Sequence, residues 1–363
     1  MTIFNIFLLI PLANFFITLY NLFTAPALSK NKINGNSAKV SILIPARNEE
    51  RNIENCLRHV TAQSYSNIEI IVLDDFSKDS TLAKSLQMSE TDNRIMVVEG
   101  EELPRGWTGK NWACMQLAKK ASGDYLLFID ADVTLGKEAV ESSIFEMNNL
   151  KTDMLSVFPK QIMNSIGEKL TVAILNWLMI SFLPLKKVYS SKNSFYAAAN
   201  GQFMMWKRNV YFETGGHESV KDKIVEDIEL SRMLKTKGYK IATLLCDDLV
   251  TCRMYSSFSE SLAGFTKNYF PSSGLSEWKF ISILILIVFS YLYPLILMFD
   301  SVLFMSIVGV IILNRAIISM ISHQSLIMNT ILFPFQLLTM LYIGLRSVAA
   351  IKYGNVYWKG RNL

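Results

Sequence analysis

Short apolar runs alternate with amphipathic stretches between residues 40 and 130 of the chain. The runs have the length of buried strands, and the stretches between them have helical spacing of apolar residues. The predicted strands lie at 40–44, 68–73, 94–98 and 125–129, and the predicted helices at 49–63, 79–89 and 111–121. Strands that alternate with helices predict an α/β fold with a mostly parallel sheet covered on both faces. In such sheets ligands bind at the carboxyl ends of the strands, so the residues there are the first candidates for a site.

The first 23 residues are almost uncharged and apolar, and this length is close to that of a membrane-spanning helix. A signal peptide is the alternative, but it would begin with a basic region and end at a small-residue cleavage site. The chain has no Lys or Arg before Lys30, which favours an uncleaved transmembrane anchor over 1–23. The polar segment 30–39 predicts a linker, and its residues Lys30, Lys32 and Lys39 favour a cytoplasmic location for the following domain.

Three further apolar stretches predict membrane spans over 280–299, 301–322 and 326–350. The second contains Arg315, and a charge at that depth needs a partner or a cavity. This segment is therefore either a full span or a re-entrant or interfacial segment, which leaves two or three segments in the region. Three full spans would place the C-terminus outside, whereas the basic tail 351–363 favours the inside.

These patterns divide the chain into five parts. A shorter apolar stretch over 170–190 is interrupted by Asn176 and predicts an interfacial helix rather than a span. The parts are a transmembrane anchor over 1–23, an α/β domain over 38–255, an interfacial linker over 256–278, a transmembrane region over 279–350 and a basic tail over 351–363.

Composition agrees with a membrane protein and argues against some partners. Hydrophobic residues make up 51% of the 363 residues, and the mean hydropathy of +0.27 is high for a soluble protein. The net charge is +5, and no run of basic residues indicates a nucleic-acid partner. The four cysteines form no CxxC pair and the three histidines are scattered, which argues against a zinc site and for reduced thiols in the cytosol. The cysteines are Cys56, Cys114, Cys246 and Cys252.

Asp130-Ala131-Asp132 directly follows the predicted strand 125–129. Two carboxylates separated by one residue can share a hard divalent cation, and Mg2+ or Mn2+ commonly completes its shell with substrate phosphates. Such a cation would neutralise charge on a departing diphosphate. The alternative is a solvated acidic turn, since Asp-x-Asp often occurs by chance.

Three other polar segments occupy comparable places. Asp74 and Asp75 follow the strand 68–73 and can accept hydrogen bonds from a nucleobase or ribose, or alternatively they belong to a helix cap. The segment 45–50 offers backbone N–H groups to a nucleotide, although its two glutamates are alternatively first-turn acids. Lys110, in a glycine-flanked loop, is either a diphosphate partner or a solvated lysine.

Glu226 and Asp227 precede apolar residues at Ile228, Leu230 and Leu234, a pattern that predicts the start of a helix. An acid in the first turn of a helix beside the site could remove a proton from an acceptor hydroxyl. The alternative is the ordinary preference for acids at helix N-termini.

Together these motifs resemble glycosyltransferase family 2, the inverting group with the GT-A fold. They occur in the family's order, and the resemblance covers about residues 38–255. The motifs are Ile44-Pro45-Ala46-Arg47-Asn48-Glu49-Glu50, Leu73-Asp74-Asp75-Phe76-Ser77-Lys78-Asp79-Ser80-Thr81, Asp130-Ala131-Asp132 and Glu226-Asp227. Phe76 departs from the family, which usually has glycine there, and makes the turn bulkier. Within the family, the stretches 106–110, 214–217 and 252–255 are similar to carotenoid- and hopanoid-associated lipid glycosyltransferases.

The resemblance implies a role for each matching residue. Nucleotide-sugar binding falls to Pro45, Arg47, Glu49, Asp74, Asp75, Lys110 and Asp130; Mg2+ or Mn2+ binding to Asp132 with Asp130; base catalysis to Asp227; and the acceptor loop to Gly215, Gly216, His217, Glu226 and Arg253. His217 is alternatively a structural loop residue. Processive members carry Gln-x-x-Arg-Trp after the base, and 253–255 lacks that form, so one sugar is expected per acceptor.

The sequence therefore predicts an inverting transferase that moves a sugar from a nucleotide-sugar, with a UDP-sugar expected, to a membrane lipid such as a carotenoid acid or another isoprenoid lipid. Its expected place is the cell membrane, as a multi-pass protein with a cytoplasmic catalytic domain. Two alternatives stay open: a transferase for envelope polysaccharide or glycolipid synthesis, and a non-catalytic membrane scaffold with a degenerate transferase domain. The intact acids at 74, 130, 132 and 227 argue against the scaffold.

Overall fold

The computed structural model describes residues 7–33, 38–354, 357–359 and 361–362. The first six residues of the predicted anchor, the centre of the predicted linker at 34–37 and parts of the predicted tail lie outside the described residues. The chain forms two compact units. An α/β unit comprises Pro26–Lys160 and Lys187–Arg253, and a helical unit comprises Met1–Ala25, Gln161–Lys186 and Met254–Leu363.

Strands and helices are named in chain order. The strands are β1 (Ala27–Leu28), β2 (Val40–Ala46), β3 (Ile68–Asp74), β4 (Ile95–Glu99), β5 (Tyr125–Ile129), β6 (Val133–Leu135), β7 (Met154–Phe158), β8 (Lys160–Gln161), β9 (Phe203–Lys207), β10 (Ile241–Cys246), β11 (Val250–Cys252), β12 (Tyr357–Trp358) and β13 (Arg361–Asn362). The helices are α1 (Leu9–Thr24), α2 (Ile53–Thr61), α3 (Thr81–Thr91), α4 (Gly109–Lys120), α5 (Ala139–Leu150), α6 (Ile166–Phe182), α7 (Lys186–Ser190), α8 (Arg208–Thr214), α9 (Glu226–Thr236), α10 (Phe258–Ser273), α11 (Glu277–Ile296), α12 (Val302–Ile321), α13 (Leu326–Ile331) and α14 (Phe333–Lys352).

The α/β unit is built on a sheet that, within the described residues, has eight strands in the order β1-β10-β7-β9-β5-β2-β3-β4. Its paired strands are parallel except at β9, which runs antiparallel to β5 and β7. The four predicted strands are present, with ends that differ by at most two residues from the prediction. The predicted α/β fold with a mostly parallel sheet is therefore confirmed.

The register of the central strands places their polar ends side by side. In β2, Val40, Ile42, Leu43 and Ile44 are fully buried, as expected for a parallel strand with both faces covered. β2 pairs with β3 so that Ala46 lies opposite the last residue of β3, and β2 also pairs with β5. The residues that follow these three strands therefore share one edge of the sheet.

The helical unit contains the apolar helices. α11, α12 and α14 each have 20 residues and are long and apolar enough to cross a membrane, whereas α1 has 16 residues. The predicted span 326–350 is divided into α13 and α14. Proline follows Phe333 in the first turn of α14, where its missing N–H is tolerated but a continuous helix through it is not.

Arg315 lies within α12, which is a continuous helix, and has a relative exposure of 1%. Its Nη2 donates to Gln336 Oε1 at 2.6 Å and to the carbonyl of Asn329 at 3.3 Å. The guanidinium carbon lies 4.6 Å from the centre of the Phe333 ring. The partner that the sequence requires for this charge is therefore a set of neutral acceptors and an aromatic face from α13 and α14.

Two segments that the sequence assigned elsewhere belong to the helical unit. α6 begins with a capping box between Ser165 and Glu168, and its Thr171 donates to Ser261 Oγ of α10 at 2.9 Å. More than half of the residues of α6 are buried, and its location at a membrane interface stays a prediction. The predicted linker 256–278 likewise contains α10, and the α/β unit is interrupted by 161–186 rather than continuous.

Candidate active site

Hydrogen bonds join the loop that follows β2 to the loop that follows β3. Arg47 donates through Nη1 to the carbonyl of Asp75 and, at 3.4 Å, to that of Phe76. Its Nη1 also lies 3.8 Å from Asp75 Oδ2. The structure thus brings together Arg47, Asp74 and Asp75 at one edge, as the sequence predicted, with Pro45 on the adjoining strand.

Asp74 has a free acceptor at this edge. The residue has a relative exposure of 5%, and its Oδ2 accepts from the backbone N–H of Ser77 at 3.1 Å. Oδ1 is buried and accepts no hydrogen bond from the residues that the structure describes. At the N-terminus of α3, the carboxylate of Asp79 accepts a hydrogen bond from the N–H of Thr81 at 3.0 Å. The helix-cap alternative therefore applies to Asp79, and Asp74 retains an acceptor for a ligand N–H or O–H.

Glu49 and Glu50 add further hydrogen bonds between the loop after β2 and the segment that leads into α3. Glu49 N–H donates to Thr81 Oγ1 at 2.7 Å, and the Glu49 carboxylate accepts from Asn52 Nδ2 at 2.8 Å. Glu50 N–H donates to Asp79 Oδ2 at 3.1 Å. Several of the backbone N–H groups that the sequence offered to a nucleotide are thus used within the protein.

Lys110 joins two acidic segments. Its Nζ lies 2.9 Å from Asp130 Oδ1 at the end of β5 and 3.0 Å from Glu226 Oε1 at the start of α9. Burial lowers the pKa of Lys110, but the carboxylates of Asp130 and Glu226 together raise it well above its usual value. The ammonium is thus held between these two acids, while the side chain keeps a relative exposure of 35%.

Asp227 lies in the same cluster. Its Oδ2 accepts from the N–H of Gly201 at 2.8 Å, and its Oδ1 accepts from the N–H of Ile228 at 2.8 Å. Burial first, and then the negative charge of Glu226, raises the pKa of Asp227 to about 6. A carboxyl group with this pKa is ionised near neutral pH and is still a usable proton acceptor.

Gly201 is a site residue that the sequence reasoning missed. A Cβ atom at this position would lie 3.1 Å from both Glu226 Oε1 and Lys110 Nζ. A side chain at this position would require these two groups to shift by a few tenths of an ångström. The Asn-Gly dipeptide before the apolar strand β9 is a turn signal that could have drawn attention to it.

Asp132 is held by a buried thiol. Cys252 is hydrogen-bonded to the Asp132 carboxylate, and its Sγ accepts from Gln202 Nε2 at 3.0 Å. Burial first, and then the charge of Asp132, raises the pKa of both Cys252 and Cys56 well above the usual value. All four cysteines are free, in agreement with the predicted reduced thiols.

Asp130 and Asp132 offer a small set of hard ligands. Within the described part of the chain, His, Cys, Asp and Glu form no group of three or more that could hold a metal ion. Two carboxylates nevertheless suit Mg2+ or Mn2+, which bind through one or two carboxylates together with substrate phosphates and water. Asp130 is ion-paired with Lys110, so coordination of a cation by Asp130 would compete with that ammonium.

The predicted acceptor loop is firmly packed. Gly215 and Gly216 have φ values of +90° and +46°, and a Cβ at Gly216 would lie 2.3 Å from the Tyr211 ring. His217 is fully buried, its Nδ1 lies 2.8 Å from Tyr211 Oη, and burial lowers its pKa to about 3. The structure therefore supports the structural role for His217. Arg253 is exposed directly after β11.

Comparisons with known proteins identify the family and the fold to which these residues belong. The sequence model of glycosyl transferase family 2 matches residues 41–208, a range that contains the ends of β2, β3 and β5. A relative, the 4,4'-diaponeurosporenoate glycosyltransferase of Staphylococcus aureus (strain USA300), is 28% identical over 270 residues, which cover 72% of this chain and 69% of the relative.

Among solved structures, the mannosyltransferase PcManGT from Pyrobaculum calidifontis, in complex with GDP-Man and Mn2+, has a TM-score of 0.62 and 15% identity. The match covers 96% of each chain and shows a shared fold. Residues 41–208 are thus a glycosyl transferase family 2 domain, and the chain is a glycosyltransferase with a GT-A-like fold and apolar helices.

Proposed function

We propose that this glycosyltransferase moves a sugar, with inversion at the anomeric carbon, from a nucleotide-sugar to a lipid acceptor in the membrane. One observation carries the proposal. Asp227, a carboxylate suited to accept a proton, is joined through Glu226 and Lys110 to Asp130 at the end of β5. A single displacement needs two elements: a group that accepts the proton, and a site that binds the leaving diphosphate, here proposed at the sheet edge that includes Asp130.

The donor is bound, in this proposal, at the edge formed by β2, β3 and β5. The unused Oδ1 of Asp74 accepts a hydrogen bond from the nucleobase or ribose, and Arg47 fixes the loop around it. A UDP-sugar is the first donor to test, and a GDP-sugar is the second because PcManGT was solved with GDP-Man. Lys110 is close enough to Asp130 to contact a diphosphate that approaches this edge.

Asp132, with Asp130, would hold Mg2+ or Mn2+ at the same edge. A divalent cation there supplies stabilisation of the negative charge that develops on the leaving diphosphate. The protein contributes the orientation of the Asp132 carboxylate through Cys252 and Gln202.

In the proposed reaction, Asp227 accepts the proton of an acceptor hydroxyl as its oxygen attacks the anomeric carbon. The new C–O bond forms while the bond between that carbon and the diphosphate oxygen breaks, and the electron pair leaves with the nucleoside diphosphate. A carboxylate acceptor is already ionised, so Asp227 would then position it rather than deprotonate it. Either way, a single displacement inverts the anomeric configuration.

The lipid acceptor and the membrane location are supported by the apolar helices α11, α12 and α14. The S. aureus relative is named for 4,4'-diaponeurosporenoate. On this basis, a carotenoid acid or another isoprenoid lipid is the acceptor that we propose for this protein. The basic residues Lys30 and Lys39 support a multi-pass protein with a cytoplasmic catalytic unit.

The test is a transferase assay on the purified full chain with UDP-sugars and GDP-sugars, in the presence of Mg2+ or Mn2+. We expect label to enter an organic extract of membranes, and D227N and D132N to lose at least about 100-fold in kcat/KM. Full activity in both variants would overturn the assignment of roles. Label in polymer would support the envelope-polysaccharide alternative, and nucleotide binding without turnover would support the scaffold.

A further inference from the structure

We propose that Phe76 is a stacking platform for the nucleobase of the donor. The inference rests on the proposed function, because it assumes that a nucleotide binds at the ends of β2 and β3. Phe76 lies within the second motif, at the position where the family usually has glycine, and we assign to this departure a role in binding.

The backbone of Phe76 is strained. Its φ is +54°, in the left-handed region that side chains other than glycine, asparagine and aspartate rarely adopt. Such a conformation persists only when the surrounding structure enforces it, and residues of this kind concentrate at ligand sites. A large aromatic residue at such a position is therefore an outlier that calls for an explanation.

The surrounding structure enforces the turn on both sides. Arg47 Nη1 donates to the carbonyl of Phe76, and the N–H of Asp75 donates to the carbonyl of Ala46 at 2.8 Å. The N–H of Ser77 donates to Asp74 Oδ2, and the N–H of Asn48 donates to Ser77 Oγ at 3.0 Å. The Phe76 ring is thus presented from a fixed backbone rather than from a mobile loop.

Phe76 is half exposed, although the two residues before it are buried. Phe76 has a relative exposure of 49%, whereas Asp74 and Asp75 have exposures of 5% and 7%. A single exposed aromatic is ordinary on a protein surface and proves nothing alone. Here the exposed residue also has a positive φ and a hydrogen-bonded backbone. Burial of the ring therefore does not compensate fully for the backbone strain.

A second group at the same turn points to the ligand. Asp74 Oδ1 is buried and accepts no hydrogen bond from the described residues, two positions before Phe76. It needs an N–H or O–H donor, and a nucleoside offers both together with a flat π face. Aromatic side chains bind bases through that face with little preference among them. A nucleobase is therefore the chemical group that satisfies Asp74 and uses the Phe76 ring at once.

The test compares F76A, F76G, F76Y and F212A with the wild-type full chain in detergent and Mn2+. Phe212, on α8, is also partly exposed and serves as the matched control. Isothermal titration calorimetry measures Kd for UDP, GDP and inorganic pyrophosphate. We expect F76A and F76G to weaken the tighter-bound nucleotide about 5- to 100-fold, with F76Y and F212A near wild type and pyrophosphate unchanged.

Thermal unfolding separates this role from a structural one. Glycine adopts a positive φ without steric cost, so F76G should unfold at a temperature equal to or higher than F76A while it binds nucleotide equally poorly. Wild-type nucleotide affinity in F76A would overturn the stacking role and leave the proposed function intact. An equal loss for pyrophosphate would also overturn it, because the ring would then act on the diphosphate or the loop. A wild-type chain that binds neither nucleotide would overturn the donor proposal and the stacking role together.

Discussion

The ammonium of Lys110 lies 3.0 Å from the carboxylate of Glu226, the residue before the proposed base. The same ammonium lies 2.9 Å from Asp130, so one cation links the end of β5 to the first turn of α9. The charge of Lys110 also lowers the pKa of Asp227, against the opposing effects of burial and of Glu226. Lys110 therefore controls the charge of the site as well as its geometry.

The first prediction concerns pH. The pKa of Asp227 is raised to about 6 by burial and then by Glu226, while Lys110 lowers it. A base must be ionised, so kcat/KM of the wild type should fall as the pH drops through about 6 and should level off at higher pH. In K110M the pKa of Asp227 rises further, the acidic limb moves to higher pH, and activity at pH 7 falls about tenfold or more.

The control for this prediction is K110R, which keeps the positive charge and should have an acidic limb near that of the wild type. The pH dependence of kcat/KM is measured for all three proteins under identical ionic strength. An acidic limb at the same pH in K110M would contradict a role for Lys110 in the protonation of the base.

A second prediction concerns Asn111, which is fully buried in the first turn of α4. Its Nδ2 donates to the carbonyls of Val220 at 2.7 Å, Lys223 at 3.0 Å and Lys221 at 3.3 Å. N111D keeps the size of the side chain but turns the donor into a carboxylate that faces three carbonyl oxygens. We expect N111D to lose at least about 2 kcal/mol of stability and to speed amide exchange in the segment before Asp227.

Asn93 offers a matched control, because it is exposed and N93D makes the same change of charge. Thermal unfolding and hydrogen–deuterium exchange should leave N93D close to the wild type. If N111D and N93D exchange equally in the segment 216–227, the contacts of Asn111 do not hold that segment.

A third prediction concerns Cys252, which lies between Gln202 and Asp132. C252A removes both hydrogen bonds, whereas C252S retains a group that can donate to the carboxylate and accept from the amide. We expect C252A to weaken Mn2+ binding in the presence of UDP about tenfold, because partners of ligand carboxylates typically matter to that extent. Electron paramagnetic resonance of free Mn2+ measures this, and equal affinities of C252A and C252S would refute the role of the thiol.

The fourth prediction concerns Arg315 in the helical unit. R315K retains the charge but loses the fork that reaches both Gln336 and the carbonyl of Asn329. R315M also loses these bonds, yet it removes the cost of a buried charge. We therefore expect R315K to have a lower thermal unfolding temperature than R315M. The expected difference in the free energy of unfolding is about 1–3 kcal/mol. Thermal unfolding in detergent decides this, and a more stable R315K would show that the charge itself is what the unit needs.

Much of the fold was accessible from the sequence because its causes are local. The apolar runs at β2, β3 and β5 are continuous, and the polar residues that end them follow directly in the chain. The spacing of apolar residues then predicted the helices between them. The acids Asp74, Asp130 and Asp132 could be assigned to one edge because parallel strands end at the same edge.

Other features depended on where distant segments meet. The sequence left Lys110 as either a diphosphate partner or a solvated residue, and only the approach of α9 shows that it lies between Asp130 and Glu226. His217 was placed in an acceptor loop, but the ring is buried against Tyr211 and Phe128. Gly201 had no chemistry of its own to reveal it.

The sequence by itself determined the succession of strands and helices between residues 40 and 130 and the apolar segments near both ends. The spacing of apolar residues within each short segment is enough to predict these elements. The tertiary structure alone decided which polar groups of the described residues are paired within the protein. Only the tertiary structure shows three further features: the unit to which the segment 161–186 belongs, the partners of Arg315 and the exposure of Phe76. The physical reason is that burial, hydrogen bonding and charge at one residue depend on neighbours that are far away in the sequence.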